Sequence, residues 1–268
     1  MDLIFSRSNP KIKGLRALRD RTSRLESGLI LVEGIFHVGE AVAAARGGKL
    51  ALQAIYFAPD LLRSEFALGL IREQSGLGTP CYPLTVDVFE SVAEKDNPQG
   101  ILAVARPRQY ALDDLGPQNF PWGVALVAPQ DPGNLGSILR SIDAVGASGL
   151  LLLDGGADPY HPAAVRASMG ALFWHPVVNT SFKAFAVWAR EGGYTTYGTS
   201  AHAPLDYRSV SAYPRPCILL LGSEREGLTS EQAAECQVML RLPMRGRVTS
   251  LNLAAAAGVM LYTMLEAE

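Results

Sequence analysis

The sequence predicts an α/β fold twice over: a small α/β domain, then a second domain built on a parallel sheet. Three observations carry this reading. Short apolar runs alternate with helix-length segments along almost the whole chain, as in "GLILVEG", "HVGEAVAAARGG" and "LALQAIYFA", the pattern of strands joined by covering helices. The runs of the second half, "GLLLLDG" and "CILLLGSE", are nearly continuous in apolar residues, which suits parallel strands covered on both faces. Between the halves, "RPRQYALDDLGPQNFP" carries prolines and mixed charge without a sustained period, as a linker does. The predicted division is residues 1–106, a linker at 107–121 and a second domain at 122–268. A length of 268 residues lets each domain bury its own core.

The elements follow in order. Between Met1 and Arg24 stand Arg7, Lys11, Lys13, Arg16, Arg19, Arg21 and Arg24, opposed by Asp2 and Asp20. Such a segment reads either as the solvated face of an amphipathic helix or as a patch for a polyanion. Next come a strand at 28–34, a helix at 37–48 closed by glycine, a strand at 50–58 and a helix at 59–76. A short strand at 79–84, a helix at 85–96 and a strand at 100–107 complete the first half. After Trp122 the alternation resumes with "GVALVAP", "LGSILRSIDAVGA", "GLLLLDG" and "HPAAVRASMGALF" as strand, helix, strand and helix. It continues through "FKAFAVWAREGG", "YTTYGTS", "CILLLGSE", "TSEQAAEC" and "VMLRLPM" to a closing helix with Ser250 at its N-cap position.

That closing helix, in "RVTSLNLAAAAGVMLYTM", has four consecutive alanines and almost no charge, so it is expected to be buried. The run is too short to span a bilayer and is broken by Asn252 and Thr263, which leaves the chain's own core or a second copy as the partner. A hydrophobic fraction of 48% with 19% charged residues describes an ordinary globular protein. A net charge of -2 argues against binding polyanions by bulk electrostatics and leaves local patches open. Cys81, Cys217 and Cys236 form no C-x-x-C and have no neighbouring histidine at metal spacing, so no metal is expected. Cys217, at the head of an apolar run, reads as a small buried hydrophobe suited to a reducing compartment. "MDLIFSRSNPKIKG" lacks the apolar segment of a secretory signal, so the cytoplasm is expected.

Ligands of parallel α/β sheets bind at the carboxyl ends of strands, and three loops there are unusual. In "APQDPGNLGSILRS", Asn134 and Gly136 lie at a helix start capped by Asp131 or Asn134, with Arg140 further along. The free amides and the guanidinium suit an anion. The stretch is neither G-x-G-x-x-G nor a P-loop, which disfavours a nucleotide-dependent oxidoreductase. In "LLLGSEREGLT", Gly222 ends a buried strand before Glu224 and Glu226, with Thr229 as cap of the next helix; glycine there allows a close backbone approach. In "LPMRGRVTSLN", Ser250 and Asn252 lie at the start of the closing helix.

Taken in order, "NLGSILR", "LLLGSEREGL" and "LPMRGRVTSLNLAAAAGVMLY" resemble the three motifs of the SpoU-type RNA ribose 2′-O-methyltransferases of the SPOUT superfamily. The intervening "GADPYHPAAVRASMGALF" is similar as well, and the resemblance covers most of residues 123–268. The front half resembles the ribosomal-protein-like α/β domain that binds substrate in such enzymes, with Phe36 standing where many relatives have a basic residue. Ala254 stands where relatives often carry a second serine. The resemblance implies S-adenosylmethionine as methyl donor, a deep C-terminal trefoil knot and a homodimer through the C-terminal domain. RNA is the implied partner, and no membrane is. It makes Arg140 the central catalytic residue, with Asn134, Glu224, Ser250 and Asn252 around it. Gly222, Leu242 and Leu251 match positions whose backbone surrounds the donor, and Met244 is expected to line the same pocket. Lys11, Lys13 and Arg16 are the expected RNA contacts of the basic opening. That opening and the front domain favour ribosomal over transfer RNA. A non-catalytic RNA-binding relative is the main rival, and it would be favoured by loss of Arg140 or Asn252; both are present.

Overall fold

The basic opening folds as two short helices, and its burial pattern shows what they are for. Pro10 starts α1 (Pro10–Ala17), where Asn9 accepts the Lys11 amide at 2.9 Å. Asp20 caps α2 (Arg21–Ser27), which ends at Gly28 in the left-handed conformation. Ile12, Leu15 and Leu18 are buried, so one face of the segment is core. The structure, a computed structural model, describes residues 3–94 and 97–267. Asp2, counted in the basic opening, and Lys95 and Asp96, at the end of the expected helix 85–96, lie outside the described residues.

The chain forms two compact units, Met1–Arg108 with Tyr160–Trp174, and Gln109–Pro159 with His175–Glu268. In the first, β1 (Ile30–Glu33), α3 (Ile35–Arg46), β2 (Leu50–Phe57), α4 (Glu65–Gly76), β3 (Cys81–Pro83), α5 (Val86–Glu90) and β4 (Ile101–Pro107) follow the helical opening. The sheet order is β1-β4-β2-β3. Its last strand runs antiparallel to both β1 and β2, and β2 and β3 are parallel. The four strands are therefore mixed in direction. Leu15, Leu31, Leu84, Phe89 and Leu102 meet in its core.

The second unit contains β5 (Trp122–Val127), α6 (Pro132–Val145) and β6 (Gly149–Leu153). Next in sequence, α7 (Pro162–Ala167) and a 3-10 turn (Ala171–Phe173) belong to the first unit, where α7 lies against β1. The second unit resumes with β7 (Val177–Thr180), α8 (Phe182–Glu191), β8 (Thr195–Thr199), β9 (Leu205–Asp206), β10 (Cys217–Leu221), α9 (Ser230–Ala234), β11 (Val238–Arg241) and α10 (Leu253–Glu266). Its sheet order is β7-β6-β5-β10-β8-β11-β9, and every pairing in it is parallel. From β5 the chain goes on to β6 and β7 on one side, whereas β10 leads to β11 on the other. The carboxyl ends of β5 and β10 thus form a topological switch point, where loops diverge and leave a crevice. All of β5, β6 and β10 is buried, as the apolar runs require.

Several elements differ from the sequence reading for local reasons. The helix expected from Pro59 begins at Glu65, because Ser64 accepts the Ala67 amide and sets the start. The helix expected over 161–173 breaks after α7, where Met169 and Gly170 take φ of 49° and 91°. At Gly170 a Cβ would stand 2.6 Å from the Glu40 side chain, so glycine is needed there. The strand β7 was hidden by its length of four residues. Ser250 is not the N-cap of the closing helix; Asn252 is, accepting the Ala254 and Ala255 amides at 2.9 and 3.2 Å. Nor is α10 buried all round. Leu253, Ala257, Met260, Leu261 and Met264 face inward, and α10 packs on α6, while Ala255, Val259 and Tyr262 are exposed. Among the described residues no helix is long and apolar enough to cross a membrane.

Candidate active site

Three loops leave the carboxyl ends of β5, β10 and β11, and each is shaped by its own residues. After β5, Ala128 takes a φ of 41° and Asp131 caps α6, accepting the Asn134 amide at 2.7 Å. Of the two capping residues the sequence left open, the structure uses Asp131. Asn134 therefore sits in the first helical turn with its side chain free for other work. Arg140 lies six residues further on, about 9 Å along the axis. Arg140 is exposed, and its guanidinium makes no hydrogen bond or ion pair to another described residue.

The loop after β10 folds back on itself. Ser223 and Gly227 exchange backbone hydrogen bonds at 3.2 and 3.0 Å, and the Ser223 hydroxyl accepts the Glu226 amide at 3.2 Å. A Cβ at Gly222 would lie 2.0 Å from the Gly227 carbonyl carbon and 2.3 Å from the Leu228 nitrogen. The close approach at Gly222 is thus made by the chain's own returning backbone, which fully accounts for the glycine. Thr229 and Gln232 form a reciprocal capping box that starts α9.

Three side chains tie the loops together. Asn252 donates its amide to Asn134 Oδ1 at 2.9 Å, and Asn134 donates to Glu224 Oε1 at 3.2 Å. The other carboxylate oxygen of Glu224 accepts the Gln130 backbone N–H at 3.0 Å. Because Asn252 Oδ1 already takes two helix amides, the orientation of both asparagine side chains follows from the network. The donors run one way, from α10 through α6 to the β10 loop.

Beside this network opens a cleft of about 710 Å³. Gly222, Leu242, Met244 and Leu251, the four residues expected around the donor, all line it. So do Glu224, Ser250 and Asn252. Asn134 is joined to it through its hydrogen bonds, whereas Arg140 is not among the lining residues. Thr199, Ser200 and His202, at the end of β8, also line the cleft and were missed in the sequence. The same strand-end rule that selected the other loops applies to "YGTSAH", and β8 lies between β10 and β11. Nearby, burial and Glu235 push the Cys236 thiol up to about 12, so it stays protonated and is no nucleophile. No cluster of metal-ligating side chains occurs among the described residues.

In the first unit Lys11 and Lys13 are exposed on α1, with Lys11 Nζ 5.0 Å from the centre of the Tyr82 ring. Arg16 is differently placed. Its guanidinium donates to Ser91 Oγ at 2.7 Å and to the Arg7 carbonyl at 3.1 Å, anchoring α1 to the end of α5. Arg24 is buried and donates to the Leu18 and Arg19 carbonyls at 2.8 and 2.7 Å. Part of the basic opening is therefore structural. Phe36 is about half exposed near the start of α3, in edge contact with His37.

The chain is similar to known proteins over almost its whole length. Residues 121–262 match the SpoU rRNA Methylase family, and residues 9–103 match an MRM3-like substrate binding domain. The chain is 29% identical to the 23S rRNA (guanosine(2553)-2′-O)-methyltransferase of Bacillus subtilis, over 98% of each chain. It is 31% identical to the 23S rRNA (uridine(2479)-2′-O)-methyltransferase of Streptomyces viridochromogenes, over 91% of this chain and 85% of that one. Among solved structures, an AdoMet-bound rRNA methyltransferase from Sinorhizobium meliloti superposes with a TM-score of 0.88 at 31% identity, covering 99% of this chain and 97% of that one.

Proposed function

This chain belongs to the SpoU rRNA methylase family, and from that premise we propose how its residues divide the work of methyl transfer. It is an S-adenosylmethionine-dependent RNA ribose 2′-O-methyltransferase, with ribosomal RNA as substrate. The observation that carries the division of work is the Asn252–Asn134–Glu224 chain, which fastens three strand-end loops beside one cleft at the switch point of the sheet.

The residues of that cleft suit the donor. Leu242, Met244 and Leu251 offer apolar surface, while the tight turn at Gly222 and the exposed Ser250 offer backbone and hydroxyl groups. S-adenosylmethionine, when bound, supplies a methyl group on a sulfonium, whose charge disappears on transfer. The protein must then bring a ribose hydroxyl into line, its proton passing to solvent as the O–CH3 bond forms and the S–CH3 bond breaks, which is a matter of positioning more than of acid or base strength. Asn134, Glu224 and Asn252 hold the loops in register for this. Arg140 clamps the neighbouring phosphate through its guanidinium and stabilises the developing alkoxide. Its exposure and lack of any described partner leave it available to RNA.

The labour is divided so that the first unit, Met1–Arg108 with Tyr160–Trp174, selects RNA through Lys11 and Lys13, with Arg16 holding their helix. We further propose a homodimer through α10, whose exposed Ala255, Val259 and Tyr262 recur at helical spacing on one face. With the resemblance to the SpoU family as its support, we also propose a trefoil knot in the C-terminal segment. The protein acts in the cytoplasm, with ribosomal RNA.

The test is methylation of ribosomal RNA from a strain lacking this gene, with mapping of the modified ribose. Wild-type protein should modify one site that the strain lacks. Arg140→Ala should bind S-adenosylmethionine as wild type does and transfer no methyl in a single turnover. Undiminished transfer by that variant would remove Arg140 from the mechanism.

A further inference from the structure

We propose that Arg225, Arg245 and Arg247 form a cationic rim on the catalytic unit that takes RNA backbone phosphates beside the target ribose. The inference rests on the RNA methyltransferase reading above and adds to it a second RNA surface, apart from the basic opening of the chain.

The arginines of this unit differ in their partners. Arg190, Arg208 and Arg215, away from the cleft, are committed: Arg190 pairs with Glu235 at 2.8 Å, Arg208 with Asp206 at 2.8 Å, and Arg215 lies 3.6 Å over the Trp122 ring. Three on the cleft loops are not. Arg225, Arg245 and Arg247 are exposed and form no hydrogen bond or ion pair with another described residue through their guanidinium groups. Acidic residues are at hand on the β10 loop, yet Glu224 is occupied by Gln130 and Asn134, and Glu226 makes no ion pair with these arginines among the described residues.

The loop after β11 shows where its two arginines stand. Met244 and Thr249 line the cleft, while every residue from Arg245 to Val248 between them is exposed. The loop therefore has its feet in the cleft wall and its crest in solvent. A small molecule held in the cleft is met by the feet. A polymer crossing the cleft is met by the crest, and by Arg225, which lines the mouth. In a protein of net charge -2, unneutralised guanidinium groups concentrated at one opening suit a polyanion. Their planar fork matches phosphate oxygens.

The experiment uses the full chain and an unmethylated 23S rRNA transcript, with binding measured at several salt concentrations. Arg245→Ser with Arg247→Ser should make the slope of log affinity against log salt shallower by about one to two units. Arg225→Ser alone should remove about one unit or less. Lysine at positions 245 and 247 should restore the slope, because the count of neutralised phosphates follows charge. Lys183→Ser, an exposed cation at the start of α8, should leave the slope as it is. Calorimetry with S-adenosylmethionine should give wild-type affinity for the variants at Arg245 and Arg247 and for Lys183→Ser.

An unchanged slope in the double serine variant, with wild type methylating the transcript, overturns the rim and leaves the methyltransferase reading intact. Loss of donor binding in that variant also overturns it, by giving the crest to the donor pocket. If wild type neither binds the donor nor methylates RNA, the underlying reading itself fails.

Discussion

Asn252 donates its side-chain amide to Asn134 Oδ1 at 2.9 Å, joining the N-cap of α10 to the first turn of α6 across 118 residues of sequence. One side chain thus does two jobs, since its oxygen caps α10 while its nitrogen bridges to α6. Substitution can separate them. Asn252→Ala removes both and should destabilise the protein by about 1–2 kcal/mol, the size of a lost cap with a lost hydrogen bond. Asn252→Asp keeps an acceptor at the helix start, where negative charge is favourable, but cannot donate to Asn134. It should retain most of the stability and lose methyl transfer. Urea unfolding beside single-turnover transfer measures the split. Wild-type transfer in the Asp variant would show that the cap alone matters.

Gly222 gives a second expectation, because its space is closed by the loop's own backbone and not by any side chain that could turn away. With a Cβ placed 2.0 Å from the Gly227 carbonyl carbon, Gly222→Ala forces the β10 loop to open. The cost should be several kcal/mol, in the range of overpacking at a rigid site. Glu224 then leaves Gln130 and Asn134, so donor affinity should fall together with the melting temperature. Gly246, where a Cβ would meet nothing within 4 Å, is the control. Alanine there should be nearly neutral, and comparable losses at both positions would contradict the steric argument.

Some of this was legible in the sequence and some was not, for physical reasons. The strands β5, β6 and β10 are apolar throughout because helices must cover both faces of a parallel sheet, so they could be read directly. The three site loops could be read because ligands gather at strand ends. The end of β8 obeys the same rule but carries only Thr199, Ser200, Ala201 and His202, which also suit an ordinary turn. Ser250 and Asn252 are both good caps, and only the position of Asn134 selects Asn252. The mixed direction of the first sheet was hidden because strand–helix alternation does not reveal where β4 inserts. Arg16 and Arg24 looked like free charges until the carbonyls that accept from them were brought near by folding.

The two faces of α10 predict different failures. Ala257 is fully buried on the side that packs against α6, so Ala257→Glu places an unpaired charge in the core and should abolish folding. Val259 and Tyr262 are 39% and 50% exposed on the opposite side. Val259→Glu with Tyr262→Glu should leave the subunit folded and, if this face joins two copies, yield monomers in sedimentation. Circular dichroism separates unfolding from dissociation. A wild-type dimer in the double variant would move the interface elsewhere, and a monomeric wild-type protein would remove the homodimer.

Truncation should fail in an instructive way. From the sequence, removing residues 1–106 ought to leave a folded unit that binds the donor, because every site loop lies beyond the cut. However, Tyr160–Trp174 belongs to the first unit, where α7 lies against β1 and the Arg166 guanidinium pairs with Glu94. Cutting at 106 therefore strips the packing from a segment whose Val165, Leu172 and Phe173 are buried in the intact chain. Exposing that much apolar surface makes the fragment prone to association. The simple truncation should aggregate. Replacing residues 160–174 by a short Gly/Ser loop in the same truncation removes the exposed surface and should give a soluble fragment that binds S-adenosylmethionine and has lost most of its RNA affinity. Calorimetry and RNA binding on the two fragments, with light scattering as the check on association, test this. A simple truncation that stays monomeric and binds the donor would show that the 160–174 segment does not depend on the first unit. A loop-replaced fragment that is soluble yet blind to the donor would place part of the donor site in what was removed.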